Sequence, residues 1–336
     1  MNYRKNINKN NNLIELTECK KKLSDNNTLI AKGKYGTIYK IESIKCGSVI
    51  LKTFHKKINE KEIYRELNIL DRVRSIIDNN ICPHFLYYYD FFKIDNNINI
   101  LIEYADGDLE KWAKTKHTDK EWKVLIFQFL TGVYVIQKYL KGFHSNLCPK
   151  NIFYINTQKT NKYYEYLIDT EKYYIPDINC LFLLADYSNF QSLFLDDNTL
   201  TETDINNAMR ENQDFNYLQI FNKKIMINNL IKKYNLENLK KKFGNNNKFQ
   251  DYCFKNQKLD IIKILDFCIT ENIIDYEEEV INNLNQEQYP ASKKIRDFIN
   301  TILTNYSDIN LIIDKHFKEF KKKQDNIIQS FNLNKT

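Results

Sequence analysis

Residues 143–151 read FHSNLCPKN. The stretch holds a His, an Asn where a proton-accepting carboxylate would suit, a Pro, and a second Asn five residues after the first. It reads like a catalytic loop whose acid has become an amide. A second set of residues has a different chemistry. Lys52 ends the apolar run VILK, and Glu66 lies in YRELNIL, a segment of helical spacing. A lone lysine on a strand ordinarily faces solvent. One that ends an apolar strand, with a carboxylate on the next helix, could instead form an internal ion pair that grips phosphates. Gly33 and Gly36 lie in AKGKYGTIY. With no Cβ intervening, backbone N–H groups there can approach phosphate oxygens. A dinucleotide-binding turn would need a helix straight after the glycines. Here Thr37, Ile38, Tyr39, Lys40 and Ile41 alternate like a strand, so the glycines cap a hairpin.

The elements that must hold these groups can be read from periodicity. TLIAKG, GTIYKIES and SVILKTF are rich in β-branched and aromatic residues, and Gly47 marks a turn before the last. Residues 58–77 carry Ile63, Leu67, Ile69, Leu70 and Val73 on one side of a helix. FLYYYDFF (85–92) and INILIEY (98–104) read as two more strands around the turn signal KIDNN. The first hundred residues therefore predict a sheet of about five strands with one helix. After DGDL (106–109) the apolar residues Trp122, Leu125, Ile126, Phe129, Leu130, Val133, Ile136 and Leu140 recur every three or four positions. They predict a buried helix of about 20 residues, ending near Gly142. IFYI (152–155) and CLFLLAD (180–186) read as short strands around a polar, Tyr-rich insertion. Helices are expected at 214–234, 258–270, 293–304 and 308–320.

A chain of 336 residues can bury a large core, as one domain or two lobes. Its Asn, Ile and Lys bias suggests A/T-rich coding, as in some protozoa and large DNA viruses. The formal charge is +7, but Lys20–Lys22, Lys240–Lys242 and Lys321–Lys323 lie far apart without aromatic interleaving. They read as solvated helix faces, so no specific nucleic acid is expected. Seven cysteines without a close pair fit neither a disulfide framework nor a zinc site. Apolar runs are too short to cross a bilayer, and MNYRKNINKNNN lacks the apolar core of a signal peptide. An intracellular, soluble protein with no membrane partner is expected.

In order along the chain, these motifs resemble those of the protein kinase family. AKGKYG is similar to its glycine loop, with Ala31 in place of the first Gly, and VILK to its V-A-I-K strand. RELNIL resembles the helix that supplies the Glu partner, LIEYADGDL the hinge, HSNLCPKN the H-R-D-L-K-P-E-N loop and ADYS the D-F-G segment. The Tyr-rich insertion ending in YYIP resembles kinase-like proteins of large DNA viruses, and D-Y-S the D-Y-T variant of the haspin-like branch. The resemblance implies an α+β, two-lobed kinase-like fold with a small antiparallel-sheet N-lobe (26–104) and a mainly helical C-lobe (105–325). A polar, disordered extension (1–25) would precede them and a tail (326–336) follow.

The resemblance also implies ATP and Mg²⁺ as cofactors, and a protein substrate or partner that the sequence does not name. Gly33 and Gly36 would cover the phosphates, and Lys52 would contact them while held by Glu66. Ile38, Ile50 and Phe153 would sandwich adenine, with Ile102 as gatekeeper and Glu103 to Ala105 presenting hinge backbone groups. Asn151 and Asp186 would hold Mg²⁺; their plainer readings are a turn-capping Asn and an Asp closing a strand. Asn146 stands where the catalytic Asp is expected, and an amide cannot act as a general base. Cys148 replaces the loop Lys, Ser145 an Arg and Ser188 the Gly of D-F-G; no A-P-E triplet appears in 190–213. The leading expectation is a nucleotide-binding pseudokinase with weak or absent phosphoryl transfer. An active, divergent Ser/Thr kinase and an interaction protein that binds no nucleotide are the alternatives.

Overall fold

The computed structural model describes residues 27–33, 35–43, 47–94, 97–144, 146–158, 160–192, 260–269, 291–304 and 308–335. The extension expected at 1–25, the helix expected at 214–234 and Ser145 lie outside them. The described residues fall into two compact units. One is drawn from Met1–Gly107, Phe153–Ser188 and Glu319–Thr336, the other from Asp108–Ile152 and Asn189–Lys318.

The first unit is built on strands β1 (Asn27–Lys32), β2 (Gly36–Ser43), β3 (Gly47–Phe54), β4 (Tyr88–Ile94) and β5 (Asn97–Glu103). They form one sheet in the order β1-β2-β3-β5-β4, antiparallel throughout. Strict alternation splits its residues between two faces. Ile41, Val49, Leu51 and Leu101 gather on one face, with Tyr39, Tyr89 and Phe92 packed against them. The positions between them belong to the opposite face, which carries Ile38, Ile50, Lys52 and Ile102.

Helix α1 (Glu60–Asp78) starts where Asn59 accepts the Lys61 amide at 3.0 Å, with Glu60 and Glu62 in its first turn. Such residues satisfy and complement the exposed N–H groups of a helix start. Ile63, Glu66, Leu67, Leu70 and Val73 repeat at three and four positions and are buried. Glu66 is the charged member of an otherwise apolar stripe.

The other strands of this unit follow a different logic. β8 (Ile152–Asn156) lies between β11 (Cys180–Leu184) and β6 (Gly107–Asp108). The Tyr-rich insertion, expected to be polar, is partly buried. It forms an antiparallel hairpin of β9 (Tyr163–Ile168) and β10 (Glu171–Pro176), in which Tyr166, Ile168, Tyr173 and Ile175 are buried. Beyond the last helix, β13 (Ile327–Asn332) joins this hairpin in parallel with β9, where the sequence suggests only a tail.

The second unit is mainly helical: α2 (Leu109–Ala113), α3 (Asp119–Val135), α4 (260–269), α5 (Lys293–Thr304) and α6 (Ile309–His316). A 3₁₀ turn (Lys318–Lys321) follows α6, so the single helix expected over 308–320 is two pieces. Thr118 and Glu121 cap α3 reciprocally, the Thr118 amide donating to Glu121 at 2.6 Å and the Glu121 amide to Thr118 Oγ1 at 3.3 Å. The helix is buried nearly all round and continues as a π-helical turn (Ile136–Leu140), which Lys141 ends at φ 50°. The short pair β7 (Gly142–Phe143) and β12 (Gln191–Ser192) completes the unit. Among the described residues no helix is long and apolar enough to cross a membrane.

Candidate functional site

Within the first unit, Lys52 stands on β3 between Ile38 of β2 and Ile100 of β5. Its Nζ donates to Glu66 Oε1 at 2.7 Å, with side-chain exposures of 15% and 7%. Burial pushes the Glu66 carboxyl above its ordinary value; the Lys52 ammonium opposes this, and the Asp186 carboxylate adds to it. Glu66 thus lies within electrostatic reach of both Lys52 and Asp186. A buried ion pair seldom stabilises a fold more than apolar residues of the same volume would. Its place here is better explained by a need for charge.

Asp186 follows β11 with φ 66°, a left-handed conformation that Asp tolerates better than most residues. Its Oδ1 accepts the Ser188 hydroxyl at 2.8 Å. Tyr187 is buried, and its hydroxyl donates to the Leu184 carbonyl at 3.1 Å. A short turn locked on both sides of Asp186 sets where its carboxylate lies.

The residues expected around adenine divide into two groups. Ile102, Ala105 and Phe153 pack together against Leu86, Ile155, Leu183 and Ala185. Ile50 lies opposite Ile102, and Ile38 lies opposite Ala31 on one side and Lys52 on the other. Facing residues of antiparallel strands project to the same side. Ala31, Ile38, Ile50, Lys52 and Ile102 thus share one face of the sheet.

Glu103 is buried; its amide donates to the Tyr87 carbonyl at 2.9 Å, and its carboxylate accepts the Tyr87 amide at 3.1 Å. That side chain staples the end of β5. Asp106 extends the same connection, its amide donating to the Tyr154 carbonyl at 2.9 Å and its carboxylate accepting the Asn156 amide at 2.7 Å.

The two glycines are glycines for different reasons. A Cβ on Gly36 would sit 2.5 Å from the Thr53 carbonyl oxygen, so the β2–β3 pairing itself excludes a side chain. A Cβ on Gly33 would meet nothing nearer than 3.8 Å. Packing within the chain does not require a glycine there. The Gly33 carbonyl is held at 3.0 Å by His55 Nε2, and its amide donates to the Gly36 carbonyl at 2.9 Å.

Asn146 and Asn151 belong to the second unit. The Asn151 side-chain amide donates to the Asn146 carbonyl at 2.8 Å, which leaves Oδ1 as its acceptor for a cation. A 3₁₀ turn (Pro149–Asn151) brings the Asn151 amide to the Cys148 carbonyl at 2.9 Å. Leu147 is fully buried, and its amide donates to Asp260 Oδ1 at 3.4 Å. Lys263 Nζ lies 3.9 Å from the same oxygen. Burial lowers the Lys263 ammonium, while Asp260 and Cys148 pull it back up.

Asp260 and Lys263 are the functional candidates that the sequence reading missed. The signal was the opposite charges Asp260 and Lys263, three positions apart among the four charges of KLDIIKILDF, each of which needs a partner if its apolar neighbours enclose it.

No family model matches the chain, and no curated protein matches it. Among solved structures it is similar to the crystal structure of the PF14_0431 kinase domain, at 15% sequence identity and a TM-score of 0.37. That likeness covers 51% of this chain and 52% of that one, so the chain spans about half of that structure.

Proposed function

We propose that this protein is a divergent member of the protein kinase family that binds ATP with Mg²⁺ and has weak or absent phosphoryl transfer. The observation that supports this most is the enclosed Lys52–Glu66 pair, in which Lys52 stands on the sheet face that also carries Ile38, Ile50 and Ile102. In this reading Lys52 binds the phosphates and Glu66 holds it in place. Ala31, Gly33 and Gly36 form the covering turn. Ile38, Ile50, Ile102 and Phe153 enclose adenine, with Glu103 and Ala105 at its edge. Asp186 offers a carboxylate oxygen, the hard donor Mg²⁺ prefers, and Asn151, in the second unit, is the other residue that the motif resemblance assigns to the metal. A metal held there would supply positive charge to offset that of the phosphates.

Asn146 cannot take a proton from an acceptor hydroxyl. A positioned base contributes about 10²–10⁴-fold, so its absence points to binding more than to turnover. One observation favours an active, divergent Ser/Thr kinase instead. Lys263 brings a cation beside the loop in which Cys148 has displaced one.

Calorimetric titration with Mg-ATP tests the main reading. Saturable binding by wild type that weakens at least tenfold in Lys52→Met is expected. No heat at millimolar nucleotide would overturn it.

A further inference from the structure

Helix α1 is closed locally by the amides of Asn79, Asn80 and Ile81, and the Asn79–Asn80 turn is itself held by groups from residues 329–335. The last carbonyls of a helix have no intrahelical partners and favour a cation nearby. The last turn of α1 contains no basic residue. Lys335 supplies one, its Nζ donating to the Asn79 carbonyl at 3.0 Å. The Asn332 amide donates to the Asn80 carbonyl at 3.1 Å, and Gln329 Nε2 donates to Asn80 Oδ1 at 2.7 Å. Asn80 itself sits at φ 54°, in the left-handed region, so these contacts hold a turn that few residues would adopt unaided.

The segment making these contacts is itself anchored. It runs parallel to β9 from Ile327 opposite Tyr163 to Asn332 opposite Leu167. The Leu333 amide donates to the Leu167 carbonyl at 3.0 Å. Asn334 and Asp169 bond in both directions, side chain to backbone. Phe331 packs on Tyr166 at 5.1 Å, and Tyr166 hydrogen-bonds His84 at 2.9 Å, just beyond the α1 turn. The segment thus joins the hairpin to the end of α1 from two sides.

We infer that residues 329–335 position α1 and, through it, Glu66, with Gln329, Asn334 and Lys335 as the positioning side chains. A 19-residue helix moves nearly as a rod, so fixing its end restricts where Glu66 stands. The 2.7 Å contact to Lys52 leaves little tolerance for rotation. The consequence for nucleotide rests on the binding reading above; the consequence for α1 does not.

The test uses the full chain carrying Gln329→Ala, Asn334→Ala and Lys335→Ala together, with Lys335→Ala and Lys335→Arg singly. Two measurements are made well below the melting temperature: the Mg-ATP dissociation constant and hydrogen exchange along α1. The triple variant should raise Kd about five- to tenfold, the scale of one or two exposed hydrogen bonds. Its α1 amides from Glu66 onward should exchange faster. Lys335→Ala should show part of both effects, and Lys335→Arg, which keeps the cation, should restore wild-type values. A triple variant with a lower melting temperature but unchanged Kd and unchanged α1 exchange would overturn the inference. If wild type binds no Mg-ATP, the binding reading fails and α1 exchange alone decides this one. If the triple variant does not fold, the Lys335→Ala and Lys335→Arg pair decides it on the same criteria.

Discussion

Lys52 Nζ and Glu66 Oε1 meet at 2.7 Å, joining β3 to the buried stripe of α1. Removing either charge leaves the other enclosed, which typically costs about 3–5 kcal/mol. Lys52→Met should therefore unfold more easily than wild type at neutral pH. The pH dependence has a definite sign. Burial holds the Glu66 pKa above its unfolded value of 4.5, so the folded state favours its protonated form. Stability from this group is fully present below that unfolded value and is lost as pH rises through the folded one. Without Lys52 the folded pKa rises further, so the variant's deficit should shrink on acidification. Urea denaturation across a pH series would show it; a deficit independent of pH would argue against a buried charge.

Gly36 and Gly33 should separate packing from binding. Gly36→Ala drives a Cβ against the Thr53 carbonyl at 2.5 Å and should destabilise the sheet by about 1–3 kcal/mol. Gly33→Ala brings its Cβ only to ordinary contact, 3.8 Å from the Gly36 carbonyl oxygen, and should leave stability nearly unchanged. If Gly33 lets the backbone approach phosphate, the same variant should still weaken Mg-ATP binding. Melting curves with and without nucleotide, run on both variants, distinguish the two outcomes.

Asp260 accepts from Leu147 and neighbours Lys263 while itself almost fully enclosed. Asp260→Ala leaves a largely buried ammonium and a buried amide, and should cost about 3 kcal/mol or more. Adding Lys263→Met removes the stranded charge and should recover part of that loss. A double-mutant cycle by chemical denaturation measures the coupling. Strict additivity of the two changes would mean that the pair does not interact.

Asn146→Asp should raise phosphotransfer from a low wild-type level, because it restores a proton acceptor. Radiolabelled transfer assays would detect it. Cys148→Lys is expected to help the γ-phosphate, yet it also places a second ammonium near Lys263, which burial already disfavours. That variant should lose stability, and adding Lys263→Met should return it. Wild-type turnover at about 1–100 s⁻¹, unchanged by Asn146→Asp, would instead support the active-kinase reading.

Local periodicity decided much of this protein. The five-strand sheet, the stripe of α1 and the long apolar helix α3 each declare themselves over one short window, because side-chain direction repeats every two or 3.6 residues. Lys52 and Glu66 are only 14 positions apart, on adjacent elements, so their pairing could be read as well. What the windows could not carry was partnership across long separations. β13 has a weak strand pattern by itself and becomes a strand by pairing with β9. Gln329 meets Asn80 across 249 positions, and Leu147 meets Asp260 across 113. The Tyr-rich insertion looked polar because a tyrosine hydroxyl counts as polar until its ring is buried, as Tyr166 and Tyr173 are. Residue types and spacing marked Lys52 and Glu66 as charges that could pair inside. Only the folded chain decided which distant backbone and side-chain groups hold them, since that depends on surfaces that exist only after the elements have packed.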